Sequence, residues 1–279
     1  EVREPDMHEP SGDLRRLIEA VETQWPDRVT GPIRCDLHVI QTFQPILRAG
    51  KWCVTVALRN GTDIIAVWSG LKEQVAGVAI DVGSTTMSAH LCDMVTGDVL
   101  ASTGAMNPQI RFGEDLMSRV SYAMMNPGGD REMTVAVREA IDRLAGEIAA
   151  EAGIDAGLIV EAVFVCNPVM HHLLLGIDPV ELGQAPFALA TSQSLSLGAK
   201  ELDLGTLNPR AQVYILPCIA GHVGADAAAV ALAEEPGKSE DLVLVVDVGT
   251  NAEILLGDRS RVLAATGIIR GFNAVSGPG

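Results

Sequence analysis

Two stretches of this chain repeat one ordered pattern. Residues 78–101 read VAIDVGSTTMSAHLCDMVTGDVLA, and residues 243–264 read VLVVDVGTNAEILLGDRSRVLA. Each contains an apolar run, then Asp-Val-Gly with a hydroxyl residue, a second apolar-rich run and a Gly-Asp turn before another short run. Such runs, separated by glycine-containing turns, predict a strand, a tight turn and a returning strand. Because Asp81 and Asp247 lie 166 positions apart, the repeat predicts two hairpins at domain-scale separation.

The residues at the two turns suit a phosphate group. Glycine at positions 83 and 249 has no Cβ to block a polyphosphate, and neighbouring hydroxyls and backbone amides can donate hydrogen bonds to it. The carboxylates of Asp81 and Asp247 suit Mg²⁺ or its water ligands. The chain contains neither GxxxxGK[ST] nor a GxGxxG turn after a strand. One such segment alone fits an ordinary strand-to-turn corner better, but the duplication favours a phosphate site.

The paired hairpins resemble the first and second phosphate motifs of the actin-like ATPase superfamily, which includes sugar kinases, actin and the large heat-shock chaperones. The resemblance implies ATP and Mg²⁺ as ligands, and an α/β, actin-like ATPase (ribonuclease H-like) lobe. It implies that Asp81 and Asp247 are metal-binding and catalytic residues, which orient metal-bound water. It also implies that both turns hold the phosphates, through Gly83, Ser84, Thr85, Thr86, Gly249, Thr250 and Asn251.

Further candidates lie after the second turn and on another glycine-rich segment. Glu253 and the acidic pair at 114–115 can assist a hydrolytic water, or act as ordinary surface or helix-capping carboxylates. The segment GHVGADA is predicted to lead from a strand into a helix, whose N-terminal amides favour anions. Gly221, Gly224 and Asp226 are therefore candidates for the lining of the cleft, with a tight turn and a helix-terminal charge as the structural alternative.

Charge and hydropathy exclude several classes of partner. The chain has 20 Lys plus Arg against 36 Asp plus Glu, which gives a formal charge of -16. Such a field repels nucleic-acid backbones and anionic membranes. No apolar run approaches the roughly 20 residues that cross a bilayer, and the N-terminus is polar. We therefore expect no nucleic-acid partner, no membrane partner and a cytoplasmic location.

The five cysteines are scattered singly, with no CxxC pair. Buried free thiols explain them better than disulfides or a metal site. The adjacent His171 and His172 would point about 100° apart on a helix, so the pair is not a convergent metal clamp. We therefore expect residues 1–279 to carry neither an iron-sulfur cluster nor a structural zinc.

The hydrophobic pattern changes near residue 72. Residues 11–25 predict an amphipathic helix that Ser11 caps, and the runs CDLHVI, CVTVAL and DIIAVW predict strands. Residues 1–72 are therefore expected to form a small α+β middle or linker domain. Residues 73–279 are expected to form an actin-like ATPase domain with an incomplete second lobe. Within that domain, residues 113–125 and 131–153 predict helices that alternate with strands in an α/β sheet.

Several segments together resemble the ATPase-like region of the reductive activators of corrinoid proteins. These activators are iron-sulfur proteins that return inactive cob(II)alamin enzymes to cob(I)alamin. The resemblance spans residues 78–257 and is specific to this family rather than to actin-like proteins in general. The matching segments are DVGSTT at 81–86, NPQIRFGEDLMSRV at 107–120, NPVMHHLLLGIDP at 167–179, LPCIAGHVGADA at 216–227 and DVGTNAEILLG at 247–257.

The resemblance implies ATP-dependent reductive activation of a corrinoid protein that supports a corrinoid-dependent methyltransferase. It implies that corrinoid protein as the partner and a homodimeric assembly. The family holds a [2Fe-2S] cluster through cysteines of an N-terminal ferredoxin-like domain, and no such cysteine cluster occurs here. The cluster is therefore expected only in a domain missing from this chain, which is interpreted as partial. A small-molecule kinase and a nucleotide-gated interaction protein remain alternatives, because both use the same hairpins.

Overall fold

The computed structural model describes residues 1–8, 10–35, 37–248 and 251–268. The chain divides into two compact units, Glu1–Val75 and Ala76–Gly279. Among the described residues, no helix is both long enough and apolar enough to cross a bilayer.

The first unit combines two helices with a three-stranded sheet. In the sheet, β3 lies between β1 and β2, parallel to β1 and antiparallel to β2. The core is formed by Val2, Leu17, Val39, Phe43, Leu47, Ile64 and Val67. The elements are α1 (Asp13–Gln24), β1 (Arg34–Cys35), α2 (Leu37–Ala49), β2 (Val54–Arg59) and β3 (Asp63–Ser69). Gly12 occupies the N-cap of α1 with no side-chain cap, so the predicted capping by Ser11 is wrong.

The strand predicted from the run CDLHVI is also wrong. The strand ends at Cys35, and helix α2 begins at Leu37. Buried Val39, Phe43 and Leu47 recur every four residues, a spacing that keeps side chains on one face of a helix. A run of six residues is too short to reveal that period, because a short apolar run fits a strand and a buried helix equally well.

The second unit is built on a six-stranded mixed sheet. Its order is β6-β5-β4-β7-β9-β8, in which β4, β7 and β9 are parallel and the other pairs are antiparallel. A separate antiparallel sheet has the order β10-β11-β12. The strands are β4 (Ala76–Val82), β5 (Thr86–Asp93), β6 (Val99–Met106), β7 (Ile159–Cys166), β8 (Leu195–Gly198), β9 (Gln212–Ile215), β10 (Val243–Val248), β11 (Asn251–Asp258) and β12 (Arg261–Ile268).

In the part of this unit that the structure describes, four α-helices accompany these strands: α3 (Leu116–Met125), α4 (Gly129–Glu151), α5 (Pro168–Leu175) and α6 (Ala225–Glu234). Helix α4 confirms the helix predicted over 131–153, and it packs against β5, β6 and α5. Its buried face has helical spacing and includes the large side chains of Met133, Val137, Ile141, Leu144 and Ile148. Burial of this face against the sheet forms the main core, because each of these side chains leaves water almost completely.

Candidate functional site

The carboxyl ends of β4, β7 and β9 meet at one edge of the large sheet, because these strands are parallel. Asp81 is the penultimate residue of β4, and Asn167 directly follows β7. Helix α6 begins at Ala225, after the segment that leaves β9. Ligands of open α/β sheets bind outside the carboxyl ends of the strands. The predicted phosphate turn therefore lies at the edge where a ligand is expected.

Three carboxylates act on one another at this edge. Loss of surrounding water raises the pKa of Asp81 to about 6, and the charges of Asp226 and Asp247 add to the effect. Burial also raises the pKa of Asp226, assisted by the charge of Asp247, although the Ala227 amide donates to Asp226 at 2.8 Å. The Asp81 residue as a whole is nevertheless exposed to solvent, so water screens part of this repulsion. The structure thus brings together the two aspartates predicted from separate hairpins and Asp226, which was a candidate from the sequence for the lining of the cleft.

This arrangement fits a divalent cation that is shared with a phosphate. A cation between mutually repelling carboxylates would stabilise their charged forms. Mg²⁺ is usually held by one or two carboxylates together with phosphate oxygens and waters, rather than by an all-protein cage. Within the described ranges, no group of three or more His, Cys, Asp or Glu side chains has the geometry of a metal site. Asp81 and Asp247 therefore fit Mg²⁺ that arrives with a nucleotide.

The carbonyl groups of the first hairpin turn accept hydrogen bonds from two buried side chains and one backbone amide. The Gly83 carbonyl accepts from Asn107 Nδ2 at 2.8 Å, and the Thr85 carbonyl accepts from the Asn107 amide at 2.8 Å. The Ser84 carbonyl between them accepts from Arg119 Nη2. In a trans peptide the C=O and N–H groups point in opposite directions. Each amide of residues 84–86 therefore points away from the donor that binds the preceding carbonyl, and amides that share one side of a turn can bind an anion.

The hydroxyl of Ser84 is used inside the protein. Ser84 is 6% exposed, and its Oγ accepts from Asn167 Nδ2 at 3.1 Å. Asn167 also caps α5, because its Oδ1 accepts from the Met170 amide at 3.0 Å. At Gly83 an added Cβ would lie 2.5 Å from the Thr86 carbonyl oxygen, so the tight turn itself requires glycine. A contact between Ser84 and phosphate therefore depends on the Ser84 amide more than on its hydroxyl.

The second hairpin places two acidic residues side by side. Asp247 in β10 and Glu253 in β11 are directly opposite in the antiparallel register. Directly opposite residues share one face of a sheet, so both carboxylates lie on the same face. Asn251 is the first residue of β11, whereas Gly249 and Thr250 lie outside the described residues. Glu253, a candidate from the sequence for assisting a hydrolytic water, is thus beside Asp247.

The two other predicted glycines have packing reasons of their own. A Cβ at Gly221 would lie 2.1 Å from the Phe187 carbonyl oxygen. A Cβ at Gly224, the N-cap of α6, would lie 2.6 Å from both Asn167 Cα and the Cys166 carbonyl oxygen. Contacts this short are not tolerated, so close backbone packing explains both glycines. Their predicted role in binding anions stays a prediction.

The chain matches known proteins over both of its units. Residues 76–238 match the family described as the RACo middle region, and residues 1–74 match the RACo linker region. The chain belongs to the RACo family. It is 32% identical over 255 residues to the corrinoid activation enzyme RamQ of Eubacterium limosum, and this alignment covers 91% of the chain and 41% of RamQ.

A solved structure of a reductive activator for corrinoid, iron-sulfur protein has the same fold. It is 32% identical with a TM-score of 0.77, and the match covers 95% of this chain and 42% of that one. This similarity confirms the predicted α/β fold class and the resemblance to the corrinoid activators. The RACo-family chain spans about two fifths of the length of both relatives.

The residues that hold the first turn were missed as functional residues, although the family segments contain them. Asn107 and Asn167 each precede a proline, and Asn followed by Pro is typical of a helix start. That signal predicts the caps but not the contacts with Gly83 and Ser84, which depend on tertiary packing. Asp115 caps α3 by accepting from the Ser118 amide at 2.7 Å, and this backbone hydrogen bond lowers its pKa. The capping alternative for the acidic pair at 114–115 therefore has structural support.

A pH dependence with two opposite signs is expected from Asp81 in this RACo-family protein. Its pKa is raised from 3.8 to about 6, so between these values the folded state holds a proton that the unfolded state has released. The nucleotide-free fold should therefore lose stability as pH rises through this window. If Mg²⁺ binds with a nucleotide at the charged carboxylate, its affinity should increase over the same window.

Urea unfolding and calorimetric titration with Mg-ATP at several pH values from 4 to 7 measure the two slopes. Both slopes should be smaller in the Asp81→Asn variant, where the raised pKa of Asp226 still contributes, whereas Asp98→Asn, an exposed aspartate on the turn between β5 and β6, should retain both in full. Identical slopes in wild type and Asp81→Asn would show that another group titrates.

Proposed function

We propose that this RACo-family chain is the nucleotide-binding part of a reductive activator of a corrinoid protein. The proposed reaction adds one electron to the cobalt of the partner, from cob(II)alamin to cob(I)alamin, in support of a corrinoid-dependent methyltransferase. The observation that carries the proposal is the convergence of Asp81, Asp226 and Asp247 beside a turn whose carbonyls are held inward. The names of the two relatives supply the corrinoid partner.

The nucleotide proposed for this site is ATP with Mg²⁺. The first turn would hold phosphates through the amides of residues 84–86 and the exposed hydroxyl of Thr86, with Gly83 allowing the turn to be tight. Gly249, Thr250 and Asn251 would act from the second turn. Asp81 and Asp247 would orient Mg²⁺ and its waters, and Glu253 would assist the water in hydrolysis. Gly221 and Gly224 would line the same cleft.

ATP binding and hydrolysis supply free energy for the change between protein arrangements. A ligand shifts such an equilibrium only by its differential affinity for the two states. The chain's own contribution is therefore to bind the phosphates more tightly in one arrangement than in the other. The electron would come from an external reductant through a [2Fe-2S] domain outside this chain. We also propose that the activator is a homodimer in the cytoplasm.

The decisive experiment uses the full-length protein, a partner corrinoid protein in the cob(II)alamin state, a reductant and Mg-ATP under anaerobic conditions. Absorbance should show cob(I)alamin only when the activator, reductant and Mg-ATP are all present. Leaving out the nucleotide, and replacing wild type by Asp81→Asn, are the matched controls. Corrinoid reduction at the same rate without nucleotide, accompanied by phosphorylation of a small metabolite, would favour the kinase alternative and refute this proposal.

A further inference from the structure

We infer that Arg119 is a positioning residue for the phosphate turn, because its guanidinium holds the Ser84 carbonyl inward and so directs the next amide outward. The inference rests on the proposed nucleotide site and assigns a function to a side chain that cannot itself reach the ligand. Arg119 belongs to α3, and its side chain is 0% exposed inside the second unit. Its effect on a nucleotide must therefore pass through the turn.

The guanidinium of Arg119 donates hydrogen bonds to neutral acceptors. Its Nη2 donates to the Ser84 carbonyl, and its Nε donates to the Gly113 carbonyl at 3.0 Å. Its Nη1 donates to Gln109 Oε1 at 3.3 Å and contacts Met170 Sδ at 3.1 Å. None of these partners is a carboxylate. A planar fork of donors can thus fix the orientation of two backbone carbonyls at once in one rigid geometry, whereas the three donors of an ammonium group rotate about a flexible stem.

The guanidinium keeps its charge despite burial. Burial lowers its pKa to about 10 against the opposing charge of Asp115, so Arg119 is protonated at neutral pH. A buried ionic group is often no more stabilising than an apolar residue of the same size. A plain packing role therefore does not explain a charged residue here. The positive charge of Arg119 instead lies next to the Ser84 carbonyl and polarises it. The amide at the other end of this peptide group then favours an anion.

Asn107 connects the same turn to α4. Its side chain and amide bind the Gly83 and Thr85 carbonyls, and its Oδ1 accepts from the Gln109 amide at 2.9 Å. Gln109 Nε2 in turn donates to the Met133 carbonyl of α4 at 2.9 Å. The peptide held by Arg119 is therefore flanked by two peptides that are already fixed. Removal of Arg119 should release the central peptide group of the turn without releasing its two ends.

The test compares Arg119→Met and Arg119→Lys with Arg138→Met in the full-length protein. Arg138 is a matched control because its Nε also donates to a backbone carbonyl, that of Leu174 at 2.9 Å, and its side chain is 13% exposed. We expect Arg119→Met to weaken Mg-ATP binding about 10- to 100-fold, the size typical of a lost hydrogen bond to a charged group. Arg119→Lys should fall between wild type and Arg119→Met, and Arg138→Met should bind as wild type.

Hydrogen exchange without nucleotide gives a readout that separates positioning from general stability. The amide of residue 85 should exchange faster in both Arg119 variants, while amides within α4 should exchange at wild-type rates. If Arg119→Met does not fold, Arg119→Lys carries the test alone. Wild-type exchange at residue 85 in a folded variant would overturn the inference. If the wild-type protein binds no nucleotide, the proposed function fails, and the exchange rates alone still decide whether Arg119 holds the turn.

Discussion

Asp81→Asn and Asp247→Asn should each weaken nucleotide-dependent corrinoid activation by ~2–4 kcal/mol, the usual loss on removing one preorganised electrostatic group. The physical reason is that both substitutions remove a negative charge from the place where Mg²⁺ and the phosphates are proposed to lie. The charges of Asp81 and Asp247 already act on each other in the structure. Each variant is measured by Mg-ATP titration and by the rate of corrinoid reduction.

Stability provides the control for these variants. Asp81→Asn removes a carboxylate whose charged form is disfavoured in the fold, so the folded protein should be at least as stable at pH 7 as wild type. A loss of activity without loss of stability would therefore place the effect at the ligand. Asp98→Asn, an exposed site in the same sheet, should leave both properties unchanged. Unchanged nucleotide binding in both the Asp81 and the Asp247 variant would eliminate the proposed site.

The sequence was sufficient where the structure is set by local pattern. The strands before and after both Asp-Val-Gly turns agree with prediction, because alternating burial and a glycine turn are encoded within about ten residues. Helix α4 was also predictable, because its apolar residues repeat at helical spacing over several turns. The convergence of Asp81 and Asp247 followed from the similarity of the two segments, since related hairpins suggest related sites.

The sequence was not sufficient to predict features that depend on contacts between distant segments. The run CDLHVI has too few residues to distinguish the periods of a strand and a helix, and α2 shows its period only through Phe43 and Leu47. The buried Arg119 could not be predicted, because arginine is usually exposed and its acceptors come from distant segments. The close backbone contacts of glycine at 221 and 224 could not be predicted either, and their predicted place in the lining of the cleft stays a prediction.

Asp13→Ala should destabilise the first unit by about 3–5 kcal/mol, the usual effect of removing one partner from a buried ion pair. Asp13 and Arg16 form such a pair, with side chains that are 5% and 3% exposed. Asp13 Oδ2 also accepts from Gln44 Nε2 at 2.7 Å and from Arg48 Nη1 at 3.1 Å, which joins α1 to α2. Without Asp13, the buried guanidinium of Arg16 would lose its carboxylate partner.

The matched control is Glu19→Ala, which removes the exposed Arg15–Glu19 pair from the same helix and should cost about 0.5 kcal/mol or less. Trp25, Trp52 and Trp68 are the three tryptophans of the chain and all lie in the first unit, so their fluorescence in urea reports on that unit. Burial raises the pKa of Asp13, but hydrogen bonds from Gln44 and Arg48 outweigh it and the pKa falls below 3.8.

This lowered pKa fixes the sign of the pH dependence for the ion pair of Asp13 and Arg16. The contribution of Asp13 to stability should be complete above its unfolded-state pKa of about 3.9 and should disappear as pH falls through the lower folded-state value. The difference in unfolding free energy between wild type and Asp13→Ala should therefore be constant from pH 6 to 8 and shrink in acid. A difference that stays below about 1 kcal/mol at pH 7 would show that water, rather than Asp13, compensates the charge of Arg16.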